Sequence, residues 1–187
     1  TLVPVAIAAI SATYTGRIFF GTHPSFIVPD LQIQYLHSTL KWGLLTYVGL
    51  GLIIGAASIV FIKSISKSED FFEKYFKSPY LRHITGMLIV GVIAYIMMKS
   101  FNHFYIQGVG YATIQDLLTG AIDVLPILIL LFVLKLLAVS LTLGSGASGG
   151  IFSPGLFMGA VLGGAYGILM NMLFPSLGII PPAYVVA

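Results

Sequence analysis

Four glycines fall within the seven residues from Gly144 to Gly150, and the chain continues Ile151, Phe152, Ser153, Pro154. Glycine reaches positive φ and lets a ligand or another backbone approach closely. Proline is tolerated in the first turn of a helix, where the amide it lacks would have no partner. The spacing therefore predicts a loop, carrying Gly144, Ser145, Gly146, Ser148, Gly149 and Gly150, that opens into a helix start at Ile151 to Pro154. The first N–H groups of a helix have no intrahelical acceptor, and with the helix dipole they favour a negative ligand. The chemistry implied is reversible anion binding by backbone, because a partial charge admits an ion and also lets it leave. A second reading stays open, in which the glycines only make a tight turn between two packed helices.

No charged residue follows Lys135 through Ala187. A connection exposed at a membrane surface usually carries some charge, so Gly144 to Gly150 is expected to be buried. Irregular backbone at membrane depth persists only inside protein or beside a water-filled cavity, and broken helices of this kind form transport sites. Lys135 stands within an apolar run, where a charge is costly and a role is the default expectation. Its ammonium is expected to bond backbone carbonyls or to raise the local potential for anions. Asp116 and Asp123 lie near span ends and read as helix caps, with proton handling as the alternative. His23, His37, His83 and His103 show no metal-ligand spacing, so no metal site is expected. Cysteine is absent, which removes disulfides, thiolate nucleophiles and thiolate ligands. No nucleophile pairs with a base along the sequence, so an enzyme has no candidate site and no cofactor is implied.

The elements that must position this loop are membrane helices. Hydrophobic residues make up 58% of the chain and charged ones 8%, whereas about a quarter of a soluble domain is charged. Several apolar runs reach the roughly 20 residues a bilayer-spanning helix requires. The net charge of +3 is too small and dispersed for a nucleic-acid partner. A first span is expected from Leu2 to about Phe20, then an interfacial loop from Gly21 to Thr39, then a second span from Lys41 to about Ile65. Lys41 beside Trp42 suits the headgroup level. The connection from Lys63 to His83 holds Lys63, Lys67, Lys74, Lys77 and Arg82, five of the nine basic residues, and is cytoplasmic by the positive-inside rule. Its Phe71, Phe72, Tyr75 and Phe76 read either as an amphipathic turn on the membrane or as a solvated loop.

A third span is expected from about Ile84 to Lys99. Tyr111 to Thr119 is too short to cross and reads as a partial or re-entrant helix. The fourth run extends from Ile122 to Leu143 and the fifth from Ile151 to Leu173. Gly155, Gly159, Gly163 and Gly167 place a glycine stripe on one face of the fifth span, for close packing of another helix; Gly51 and Gly55 are a weaker example on the second. The chain starts at Thr1 and stops at Ala187 inside a new apolar run from Pro182, so it reads as a piece of something longer. The fold class is all-α and polytopic, with tilted, partly re-entrant helices and no soluble domain in residues 1–187.

The stretch from Leu134 to Pro154 resembles the CLC family of chloride channels and chloride/proton antiporters. Its centre, Gly150 to Pro154, matches that family's G-x-F-x-P motif. The basic residue before it, the glycine and serine loop, the glycine-striped helix after it and the earlier Gly108-Val-Gly-Tyr-Ala-Thr-Ile-Gln115 strengthen the match. The resemblance implies an inverted-repeat architecture, of which residues 1–187 hold the last helix of the first repeat and early and middle helices of the second. It implies chloride bound by the N–H groups of Ile151 and Phe152, beside Gly149 and Gly150, with Gly144, Ser145, Gly146, Ser148, Ser153 and Pro154 as the supporting loop. It further implies an integral protein of the plasma (inner) membrane, a homodimer with the first span at the dimer interface, and protons as a possible second cargo. The family's G-S-G-I-P and G-R-E-G-P motifs do not occur here, so channel and antiporter are not distinguished. Another broken-helix transporter for a small anionic solute, and a non-transporting membrane scaffold, stay open as alternatives.

Overall fold

The computed structural model describes residues 2–22, 27–29 and 40–187. Most of the expected interfacial loop, with His23 and His37, lies outside the described residues, as do the side chains of Lys41 and Trp42. The chain forms α1 (Leu2–Phe20), α2 (Leu40–Tyr75), α3 (Pro79–Phe101), α4 (Tyr111–Leu118), α5 (Leu125–Gly144), α6 (Phe152–Leu173) and α7 (Pro181–Val186). No strand occurs among the described residues. Five of these helices are long and apolar enough to cross a bilayer, in keeping with the all-α, polytopic expectation.

Their ends follow local chemistry. Proline opens α3, α5 and α7 within the first two positions, where its fixed φ helps and its missing donor costs nothing. Asn102 closes α3 in the left-handed conformation, at φ 54°, the habit of a helix C-terminus. Gly110, at φ 81°, starts α4. A side chain at Gly110 would run into the ring of Phe157, so glycine is required there twice over.

One boundary departs from expectation. The helix that carries the second span does not stop near Ile65, where the connection is expected to begin: α2 runs unbroken to Tyr75, and its 36 residues give a length of about 54 Å against a hydrocarbon core of about 30 Å. Lys63 to Tyr75 holds no glycine or proline, so nothing in the backbone stops the helix where the charges begin. The connection is reduced to three residues, Phe76 to Ser78. It is held by Arg82, which donates from Nε to the Phe76 carbonyl at 2.8 Å and pairs with Glu73 at 3.1 Å. Of the four aromatics, Phe71, Phe72 and Tyr75 thus belong to the last turns of α2 and Phe76 opens the link. Phe72 is 1% exposed while Phe71 and Tyr75 face outward from the same helix.

The core forms around α5 and α6, which pack on each other and collect α2, α3, α4 and α7 about them. Leu128, Leu131, Phe157 and Val161 are fully enclosed there. Helix α1 buries none of its residues. The glycine stripe on α6 divides in two. A Cβ at Gly163 would collide with the Tyr184 carbonyl, and one at Gly167 would come within 2.8 Å of the Pro181 backbone, so the lower half of the stripe is the seat of α7. Gly155 and Gly159 have open space instead and border a small cavity of about 70 Å³ toward α2. Gly51 and Gly55 also meet nothing within 4 Å among the described residues.

A polar cluster fastens α2, α6 and α7 that sequence reading did not identify. Tyr166 donates to the Thr46 carbonyl at 2.9 Å, the Thr46 hydroxyl bonds the Tyr184 hydroxyl at 2.5 Å, and Tyr184 stacks on Tyr47. Three hydroxyls 18 and more residues apart carry no local signature, so only their meeting in space reveals them.

Candidate functional site

Helix α5 ends in a complete Schellman motif. Gly146 adopts φ 84°, its N–H bonds the Leu143 carbonyl at 3.0 Å, and the Ala147 N–H bonds the Thr142 carbonyl at 3.2 Å; these are the two bonds that define such a stop. Of the four loop glycines only Gly146 needs positive φ. Gly144 answers a different demand, since a Cβ there would fall on Ser68 and on the Glu69 backbone of α2. Ser145 is 1% exposed, lies against Gly86 of α3 and donates to the Thr142 carbonyl at 2.9 Å. Gly144 and Ser145 are therefore the anchor of the loop, wedged among three helices.

Beyond that anchor the chain turns back along α5. Gly149 comes up against the Leu143 side chain, and a cavity of about 200 Å³ is bordered by Gly149, Gly150 and Pro154 together with Val90 and Ala94 of α3 and Lys135 and Ala138 of α5. Those α3 and α5 residues lie in the middle of their helices. Helix α6 accordingly starts part-way through the thickness of the bundle, not at its edge, and the link is re-entrant.

The amides then become available. Ser148, Gly149, Gly150, Ile151, Phe152 and Ser153 donate no backbone hydrogen bond among the described residues, and the first bond of α6 is the Gly155 N–H to the Ile151 carbonyl at 3.0 Å. Ile151 is the N-cap, and no side chain caps the helix. Pro154 is its third residue and has no amide to offer. The result is a run of unclaimed donors at the positive end of a 22-residue helix, a backbone arrangement suited to a small anion.

One expectation about this loop needs correction. Only Gly144 and Ser145 are buried; Gly146 and Ser148 to Phe152 are exposed, Ile151 by 61% and Phe152 by 79%. The inner side of the loop rests on α3 and α5, but no element among the described residues covers its outer side. The lack of charge, which prompted the expectation, reflects depth in the bundle and not enclosure within residues 1–187.

Lys135 makes the first of its two anticipated interactions. Its Nζ donates to the carbonyls of Ile106 and Gly108, each at 2.8 Å, and stands 4.9 Å from the centre of the Phe157 ring. The capping roles expected of Asp116 and Asp123 are not found: α4 and α5 have no side-chain cap bond. Asp116 lies in the last turns of α4, and Asp123 precedes the cap residue Val124, too far out to reach. His83 and His103 are apart, and among the described residues no group of metal-binding side chains forms. A contact not foreseen joins the loop to the turn before α4, where the Ser153 hydroxyl donates to the Val109 carbonyl at 3.0 Å. The glycines of Gly108-Val-Gly110 mark that turn in the sequence, but no local pattern says which helix it meets.

Compared with known proteins, residues 1–187 match in full the family described as voltage gated chloride channel. The chain belongs to that family. It is 33% identical over 184 residues to the H+/Cl− exchange transporter ClcA of Vibrio campbellii, which covers 98% of this chain and 37% of that protein. A ClcB-like protein of Ralstonia nicotianae is 32% identical over 186 residues, covering 100% of this chain and 41% of its own length. The exchange transporter ClcA of Vibrio vulnificus is 30% identical over 189 residues. The chain thus spans about two fifths of the length of these relatives. Membership of this channel family, with five membrane-capable helices, makes it part of an integral, multi-pass membrane protein.

Proposed function

We propose that the protein to which these residues belong carries chloride across a membrane, and that the anion is held by the backbone N–H groups of Ile151 and Phe152, with Gly149 and Gly150 beside them. The observation that carries this reading is the run of unpartnered amides from Ser148 to Ser153 at the start of α6, part-way through the bundle. Dipolar donors in place of a charged side chain give a site an ion can enter and leave. Gly144, Ser145 and Gly146 end α5 and anchor the loop, while Ser153 and Pro154 shape the helix start. No covalent chemistry, metal or cofactor is needed, and chloride is cargo.

The exposed outer side of the loop is the face on which the rest of the longer chain would close the site. In that arrangement α1 is the last helix of the first repeat, α2 to α7 belong to the second, and the apolar surface of α1 is covered by a second copy of the protein. Relatives named H+/Cl− exchange transporters favour coupled exchange with protons over simple conduction. Crystals of the complete protein soaked in bromide test the site: anomalous density within hydrogen-bond reach of the Ile151 and Phe152 amides is expected. Its absence at high bromide would remove the assignment. Proton flux measured beside chloride flux in liposomes separates exchange from conduction, and failure of both would turn the reading to a scaffold.

A further inference from the structure

Lys135 is the one charged residue among the buried side chains described, and no carboxylate pairs with it among the described residues. An unpaired ammonium inside a membrane bundle is costly, so what it holds is informative. It holds the turn from Ile106 to Gly110. Two carbonyls of that turn accept from Nζ, and the Thr113 hydroxyl fastens the near end by donating to the Tyr105 carbonyl at 3.1 Å. The same turn meets the first turns of α6 at two points: the Val109 carbonyl accepts from Ser153, and Gly110 lies against the ring of Phe157. That ring also faces the ammonium.

We propose that Lys135 is a positioning residue for the anion site, acting through the Ile106 to Gly110 turn and the Ser153 hydroxyl to fix the direction of the Ile151 and Phe152 amides. This rests on the reading that those amides bind chloride. Ser153 lies immediately after Phe152, so its bond to Val109 fixes the peptide plane next to the second proposed ligand. Lys135 holds Val109 in turn, because the Gly108 carbonyl, in the peptide group that joins Gly108 to Val109, and the Ile106 carbonyl just before it are tied to one ammonium. A field effect of the buried charge on the anion is the competing explanation. The two differ in how Lys135 and Ser153 depend on each other, since a field needs no hydroxyl.

The test is chloride titration calorimetry on the complete protein with Lys135→Met, Ser153→Ala, the pair together, and Lys135→Arg. Each of the first two is expected to weaken chloride binding by about tenfold, the scale of one lost hydrogen bond's worth of order at the site. The double variant is expected to be no weaker than the worse single one, because both break one chain of contacts, and Lys135→Arg is expected to restore most of the affinity. Unchanged affinity in either single variant, or losses that multiply in the double, would overturn positioning. If Lys135→Met does not fold, Ser153→Ala decides alone, since it leaves the core and the charge in place. An unaltered wild-type affinity when the Phe152 amide is replaced by an ester would fail the underlying site; a loss there with none at Lys135 and Ser153 fails only the positioning role.

Discussion

Replacing the Phe152 peptide N–H by an ester oxygen, through incorporation of the α-hydroxy acid at that position, removes one proposed ligand and nothing else from the site surface. Phe152 is the first residue of α6 and its N–H has no protein acceptor among the described residues, so no helical bond is lost with it. The ester also weakens the Ile151 carbonyl, which accepts from Gly155 at 3.0 Å; that change affects the folded protein with and without ligand and so moves stability, not affinity. A hydrogen bond to a charged group contributes about 1.5–3 kcal/mol, which corresponds to chloride binding about 10- to 150-fold weaker. Calorimetric titration of the purified complete protein with chloride reads this directly. Phe152→Leu is the control: it keeps the amide and alters a side chain that is 79% exposed, and affinity should stay within about threefold. An ester variant that binds as tightly as the wild type, or a leucine variant as damaged as the ester, would refute the assignment of the amide as ligand.

Two further outcomes follow from packing and topology. Gly163→Ala places a methyl group on the Tyr184 carbonyl and should cost about 1–3 kcal/mol by overpacking, whereas Gly159→Ala meets nothing within 4 Å and should gain up to about 1 kcal/mol from helix propensity. Opposite shifts of the unfolding midpoint in detergent are the expected result, and a neutral Gly163→Ala would contradict the seating of α7 on α6. Ser78→Cys places a thiol in the three-residue link between α2 and α3, beside Lys74, Lys77 and Arg82. A membrane-impermeant maleimide should label it from the cytoplasmic side only, and labelling from outside would reverse the orientation deduced from the basic residues.

Side-chain hydrophobicity and backbone chemistry determined much of this protein within the sequence. The five long helices, the partial helix α4, the glycine stop of α5 and the helix start at Ile151 to Pro154 each depend on residues within a few positions of one another. Local rules therefore reach them: apolar runs long enough for a bilayer, proline at helix starts, glycine where φ must be positive. The same rules misjudged the end of α2, because charge was read as the end of a helix when only exit from the hydrocarbon was implied. They misread Asp123 as a cap, one residue out of register with Val124, and Asp116 as one although it stands inside α4, six residues past the cap Gly110.

Tertiary structure alone decided what the loop residues do. Gly144 and Gly146 look alike in sequence, yet one is demanded by contact with α2 and the other by its own φ. Lys135 and the Ile106 to Gly110 turn are 25 and more residues apart, and Ser153 and Val109 are 44 apart, so no periodicity joins them. Their meeting is set by the depth at which α6 begins, and that depth follows from how α3 and α5 pack, not from any residue in the loop. The run of free amides was foreseeable from Gly150 to Pro154, and a role for Lys135 from its apolar surroundings; the exposed outer side of the loop, and the Ile106 to Gly110 turn that joins Lys135 to Ser153, were not.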